Sequence, residues 1–90
     1  MKKYVLIYAP SAQKDLLSLD HSISERILKK IKKYAEAPDA LVTAKALTGN
    51  MAGLYRYRVG DYRIVFSVDE GGIVTILTIL NIAHRKDVYR

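Results

Sequence analysis

Hydrophobic and polar residues follow two different periods along this chain, helical in the first half and alternating in the second. Residues 4–8, Tyr-Val-Leu-Ile-Tyr, are aromatic and β-branched and run up to Pro10, which predicts a first strand. Ser11 then caps a short helix whose Ala12, Leu16 and Leu19 recur on one side. Asp20-His21-Ser22 interrupts it, and Ser22 with Glu25 fits the S-x-x-E capping box of a second helix. Ile23, Ile27, Ile31, Tyr34 and Ala35 form the apolar stripe of that helix. Lys29, Lys30, Lys32 and Lys33 take its other faces, where a solvated surface is the simplest reading. Ala37-Pro38-Asp39 should end it. Ala40-Leu41-Val42 predicts a helical turn, and Gly49-Asn50-Met51-Ala52-Gly53 a loop.

From Leu54 the period becomes two. Leu54–Val59, Gly60-Asp61 and Tyr62–Val68 read as a hairpin with a two-residue turn, glycine being favoured at its first position. Asp69-Glu70-Gly71-Gly72 makes a second turn, and Ile73–Ile82 a long third strand. The expected fold is α+β. It is a two-layer sandwich ordered β-α-α-β-β-β, a mostly antiparallel four-stranded sheet with a helical hairpin on one face, in a single domain spanning 1–90.

The hairpin register carries chemical information. A Gly60-Asp61 turn sets Val59 opposite Tyr62, Arg58 opposite Arg63, Tyr57 opposite Ile64 and Arg56 opposite Val65. Opposed residues share a face, as do residues two apart. Tyr55, Tyr57, Val59, Tyr62, Ile64, Phe66 and Val68 therefore form one apolar face, to lie beneath the helices. Arg56, Arg58 and Arg63 fall together on the other. Like charges directly opposed are unfavourable on a scale of about 0.2–1 kcal/mol. No carboxylate in either strand shares their face, and Asp61 in the turn does not neutralise all three. An anion site on the open sheet face explains this grouping, because the guanidinium fork binds phosphate bidentately and stays charged.

Composition sharpens that reading. The chain has 15 Lys and Arg against 9 Asp and Glu, a net charge of +6, which favours an acidic partner. It has no Cys and only two His, His21 and His84, so thiolate chemistry is excluded and neither a protein-built metal site nor any other cofactor is expected. The longest apolar run, Ile73–Ala83, is interrupted by Thr75, Thr78 and Asn81 and falls short of the ~20 residues a membrane helix needs. A cytoplasmic protein is expected. No P-loop, G-x-S-x-G, H-E-x-x-H or EF-hand pattern occurs. Beyond the third strand, Arg85 is placed to join the sheet arginines and Lys86 to add phosphate contact. Tyr89 is placed to stack on a base or transfer a proton, and His84 is a second candidate for proton transfer.

Three blocks of this sequence resemble the RelE/ParE toxin superfamily, most closely its RelE branch. They are Tyr4-Val5-Leu6-Ile7-Tyr8-Ala9-Pro10-Ser11-Ala12 with Leu16 and Leu19, then Leu47-Thr48-Gly49 through Gly53–Phe66, then Ala83-His84-Arg85-Lys86-Asp87-Val88-Tyr89. The resemblance implies the toxin of a type II toxin–antitoxin pair that enters the ribosomal A site and cuts mRNA without a metal, by attack of a ribose 2′-OH on its adjacent phosphate. It matches Arg63, Arg85 and Tyr89 to catalytic positions of the family. Arg56 and Arg58 match positions often held by Lys, and an arginine does not give up its proton near neutral pH. Arg56, Arg58, Arg63 and Arg85 are thus expected to bind and stabilise phosphate charge, leaving proton transfer to Tyr89 or His84. The partners implied are a cognate acidic antitoxin, the ribosome with its mRNA, and operator DNA only through the antitoxin complex. Two other functions fit the same resemblance: a ParE-like inhibitor of DNA gyrase, and a catalytically degenerate toxin acting only as an antitoxin-bound co-repressor.

Overall fold

A five-stranded sheet of order β1-β5-β4-β3-β2 carries two helices on one face, in a computed structural model that describes residues 3–37, 39–71 and 74–88. In chain order the elements are β1 (Lys3–Tyr8), α1 (Pro10–Leu17), α2 (His21–Ala35), β2 (Lys45–Ala46), β3 (Tyr55–Val59), β4 (Tyr62–Gly71), β5 (Val74–His84) and the single turn α3 (Arg85–Val88). Strands β3, β4 and β5 form the expected antiparallel meander, and β1 lies parallel along β5. No helix among the described residues is long and apolar enough to cross a membrane.

The sheet has one strand more than the sequence pattern indicates. Strand β2 is only two residues long and pairs Lys45 with Arg56 and Ala46 with Tyr55. Both of its residues are exposed, so neither period marks it. The turn expected at residues 69–72 also shifts, because β4 continues through Gly71; Gly72 and Ile73 lie outside the described residues.

Both helix starts differ from the sequence expectation. Ala9 occupies the N-cap position of α1 and Pro10 opens the helix, where its fixed φ suits the first turn. Ser11 is then free to do something else: its hydroxyl donates to the Leu80 carbonyl at 2.6 Å. Asp20, not Ser22, precedes α2, and it makes no side-chain capping bond. Glu25 pairs instead with Lys29 at 3.2 Å on the exposed helix surface.

The core lies between the helices and the inner sheet face. Ala12, Ile27, Ile31 and Ala35 meet Tyr57, Val59, Ile64, Phe66, Leu77, Ile79 and Ile82 there. The alternation that runs from Tyr55 to Val68 thus buries the face it was expected to bury. On β5, however, the alternation breaks. Val65 pairs with Asn81 but Phe66 with Ile79, so Leu80 is an extra residue, a β-bulge. The bulge reverses the facing of everything after it and brings Ile82 into the core. Helix α1 holds the backbone groups at this point. The Ser11 hydroxyl binds Leu80, and one oxygen of the Asp15 carboxylate accepts from the Ile82 N–H at 2.9 Å and from the Asn81 amide at 3.3 Å.

One core group gives the fold a pH limit. Tyr57 is fully buried, and its hydroxyl donates to the Ala40 carbonyl at 2.6 Å, fastening the turn after α2 to the sheet. Burial, with lesser contributions from Asp39 and Tyr34, pushes the Tyr57 hydroxyl up from 10.0 to about 12. Its folded form therefore keeps a proton that the unfolded chain loses first. That stability is complete below pH 10 and declines as the pH rises towards 12. We expect a loss of about 2–3 kcal/mol across that window. Replacing Tyr57 with phenylalanine should cost about 1 kcal/mol at neutral pH and flatten the alkaline limb, read by urea unfolding at stepped pH. An unchanged limb would assign the transition to other groups.

Candidate phosphate-binding site

The site begins at the hairpin turn. Gly60 has φ +59° and no other residue in the turn has positive φ, so the two-residue loop needs glycine only at its first position. That turn fixes the register, which sets Arg58 opposite Arg63 and Arg56 opposite Val65, as expected. Pairing on either side extends these rows. Lys45, Arg56, Val65 and Asn81 lie across the open face in one row, and Arg58, Arg63 and Ala83 in the next. Val65 is 3% exposed although it faces away from the helices. The long arginine stems beside it are suited to cover it while their heads stay in water.

A cavity of about 320 Å³ opens over these rows. Its walls are Arg56, Arg58, Arg63 and Arg85, the turn residues 60–62, and Lys45-Ala46-Leu47-Thr48. Arg85 enters from α3, whose first N–H donates to the Asp61 carbonyl at 2.7 Å. Its guanidinium also lies 4.0 Å from the Asp61 carboxylate, an exposed pair worth little on its own. Arg63 is half-buried, and its Nε is buried with no hydrogen-bond partner. Arg63 also lines the cavity wall, where its charged fork favours an anionic acceptor. Among the described residues, five cations face one carboxylate here. No three His, Cys, Asp or Glu side chains converge among the described residues.

The structure does not bring all the sequence candidates together. Arg56, Arg58, Arg63 and Arg85 share the cavity. His84 does not. Because the bulge at Leu80 reverses the facing of the strand end, His84 sits opposite Tyr62 on the helix side. Its ring packs edge-on against Tyr62 at 5.2 Å, and its Nδ1 accepts the Lys86 N–H at 3.2 Å. His84, the second candidate for proton transfer, thus lies on the helix side and outside the cavity wall, where it braces the start of α3. Lys86 is exposed and outside the cavity wall. Tyr89 lies outside the described residues. Sequence reasoning missed Lys45 and the Ala46-Leu47-Thr48 wall, since a two-residue strand leaves no periodic signal; Lys45 stands opposite Arg56 only because of that pairing.

Comparison with known proteins gives a consistent result. Residues 6–89 match the family model described as the ParE toxin of the type II toxin–antitoxin system, parDE. Toxin RelG of Mycobacterium tuberculosis (strain ATCC 25618 / H37Rv) is 30% identical over 90 residues, covering 97% of each chain. The fold is similar to that in the toxin–antitoxin complex RelBE2 from Mycobacterium tuberculosis, with a TM-score of 0.77 at 24% identity over 92% of this chain and 99% of that one. It is also similar to that in the archaeal RelE–RelB complex from Pyrococcus horikoshii OT3, with a TM-score of 0.66 at 28% identity over 92% and 96% of the two chains.

Proposed function

The chain belongs to the RelE/ParE toxin superfamily of type II toxin–antitoxin systems, and from that membership we propose that it is a ribosome-dependent mRNA endoribonuclease neutralised by a cognate antitoxin. The observation that carries this reading is the cavity walled by four arginines. In the proposed reaction a ribose 2′-OH attacks the adjacent phosphorus and the 5′-oxygen leaves, giving a 2′,3′-cyclic phosphate. The phosphorane oxygens gain charge as the bond forms, and donors already in place against them lower the barrier. Arg56, Arg58, Arg63 and Arg85 are suited to that work and unsuited to moving protons. The 2′-OH gives its proton to water as it attacks; Tyr89, by its match to the family position, is assigned the proton for the leaving oxygen and regains one from water, so the step is proton-neutral.

An acidic antitoxin segment is the proposed partner. Two of the similar structures are toxin–antitoxin complexes, and a chain of net charge +6 with an uncovered basic face suits a segment of opposite sign. Ribosomes place the proposed activity in the cytoplasm.

The test is direct. Purified protein added to ribosomes translating a defined mRNA should produce cuts within codons, with 3′ ends carrying the cyclic phosphate or its hydrolysed form. Intact mRNA together with inhibited gyrase supercoiling would overturn the nuclease reading. The match to a ParE family model favours that second function.

A further inference from the structure

The charge in the cavity exceeds what one phosphodiester needs. Among the described residues, Lys45, Arg56, Arg58, Arg63 and Arg85 stand in the wall against the one carboxylate of Asp61, a surplus of four. One diester carries one negative charge, and even its phosphorane carries two. A site with this excess suits a run of phosphates better than a single one.

A sixth cation continues the run past the hairpin tip. Arg26 is an exposed residue of α2, on the helix side of the sheet. Its guanidinium lies directly over Gly60: a Cβ built on that glycine would come within 2.6 Å of the Arg26 Nη2 and 3.6 Å of its Cζ. Only glycine leaves that seat empty. Gly60 is also a wall of the cavity, so the two cationic zones meet at one residue. Among the described residues no carboxylate lies within 4.0 Å of the Arg26 guanidinium. It is therefore held at the lip of the site with no ion pair to a carboxylate among the described residues.

We propose that Arg26 holds the RNA phosphate flanking the one in the cavity, so that the site is a track for consecutive phosphodiesters bending over the Gly60 turn. The inference rests on the reading of the cavity as an RNA site. Backbone-tracking basic grooves bind single strands in this way, phosphate after phosphate and with little dependence on base identity. Each phosphate neutralised on a single strand contributes about 0.7 to the slope of log affinity against log salt.

The experiment compares two uncleavable probes, a 2′-O-methyl dinucleotide with one phosphodiester and a 2′-O-methyl tetranucleotide with three. NMR titration gives their affinities for wild type, Arg26→Gln, Arg26→Lys and Arg63→Ala. Arg26→Gln should weaken the tetranucleotide about five- to tenfold and lower its salt slope by about 0.7. It should leave the dinucleotide unchanged, and Arg26→Lys should restore most of the loss. Equal weakening of both probes would mean that Arg26 adds only to the general field, and the track would be overturned. No change in either would overturn it as well. The underlying reading fails separately, and takes the track with it, if wild type binds neither probe or if Arg63→Ala leaves dinucleotide affinity intact.

Discussion

Replacing Arg63 with alanine is expected to lower ribosome-dependent mRNA cleavage by about a hundred- to a thousandfold, the effect of removing one preorganised donor from a developing oxyanion. The position is favourable for so large an effect. Arg63 is central in its row, flanked by Arg58 on β3 and by the small Ala83 on β5. Its side chain is half-buried in the cavity wall, so contact with a phosphorane oxygen involves less further desolvation than at a fully exposed arginine. The same substitution should leave folding unharmed or improve it. Arg58 and Arg63 are directly opposed like charges, and removing one relieves a repulsion of about 0.2–1 kcal/mol. Activity and melting temperature should therefore move apart: cleavage falls while the melting temperature holds or rises. Arg63→Lys keeps the charge without the fork and should fall between the two. Cleavage at the wild-type rate in Arg63→Ala would remove this residue from the mechanism.

Phe66→Ala is the opposite case, a large loss of stability on the other side of the same strand. Phe66 is fully buried, with its ring centroid 4.3 Å from that of Tyr57 and 6.0 Å from that of Tyr55, the ring planes inclined by 25° and 30°. Truncating it removes those contacts and leaves a void in the middle of the sheet's inner face. A cost of about 3–5 kcal/mol is expected, a substantial share of the 5–15 kcal/mol that holds a typical domain together. For a chain of this size each kcal/mol corresponds to about 4–8 °C of melting temperature. Thermal unfolding followed by circular dichroism measures it directly; a shift of only a few degrees would show that the neighbouring rings close over the gap.

Much of the site was legible in sequence because a hairpin is local. A two-residue turn leaves one register, and strict alternation then assigns each side chain a face, so the local pattern alone groups Arg56, Arg58 and Arg63. The parts that escaped are non-local or too short to be periodic. Lys45-Ala46 has both residues exposed and makes a strand only by pairing with β3. The parallel partnership of β1 with β5 joins residues about seventy positions apart, and nothing in either segment announces it. Ser11 and Ser22 had the right chemistry for caps, yet Pro10 moved one helix start and Asp20 the other. His84 escaped for a subtler reason. Its facing depends on an extra residue at Leu80, and a bulge is invisible to a reading that counts by twos.

That extra residue makes β5 more sensitive to length than to identity. Substituting Leu80 alters one side chain. Deleting it would turn Asn81 through His84 over together, sending Ile82 out towards the arginines and Ala83 into the core, with Ser11 and Asp15 left holding the wrong atoms. Relatives with this sheet are thus expected to vary residue by residue along β5 but to keep the count between Ile79 and Arg85. Alignment gaps among working relatives should avoid that interval, and one found inside it would show that the strand end tolerates inversion.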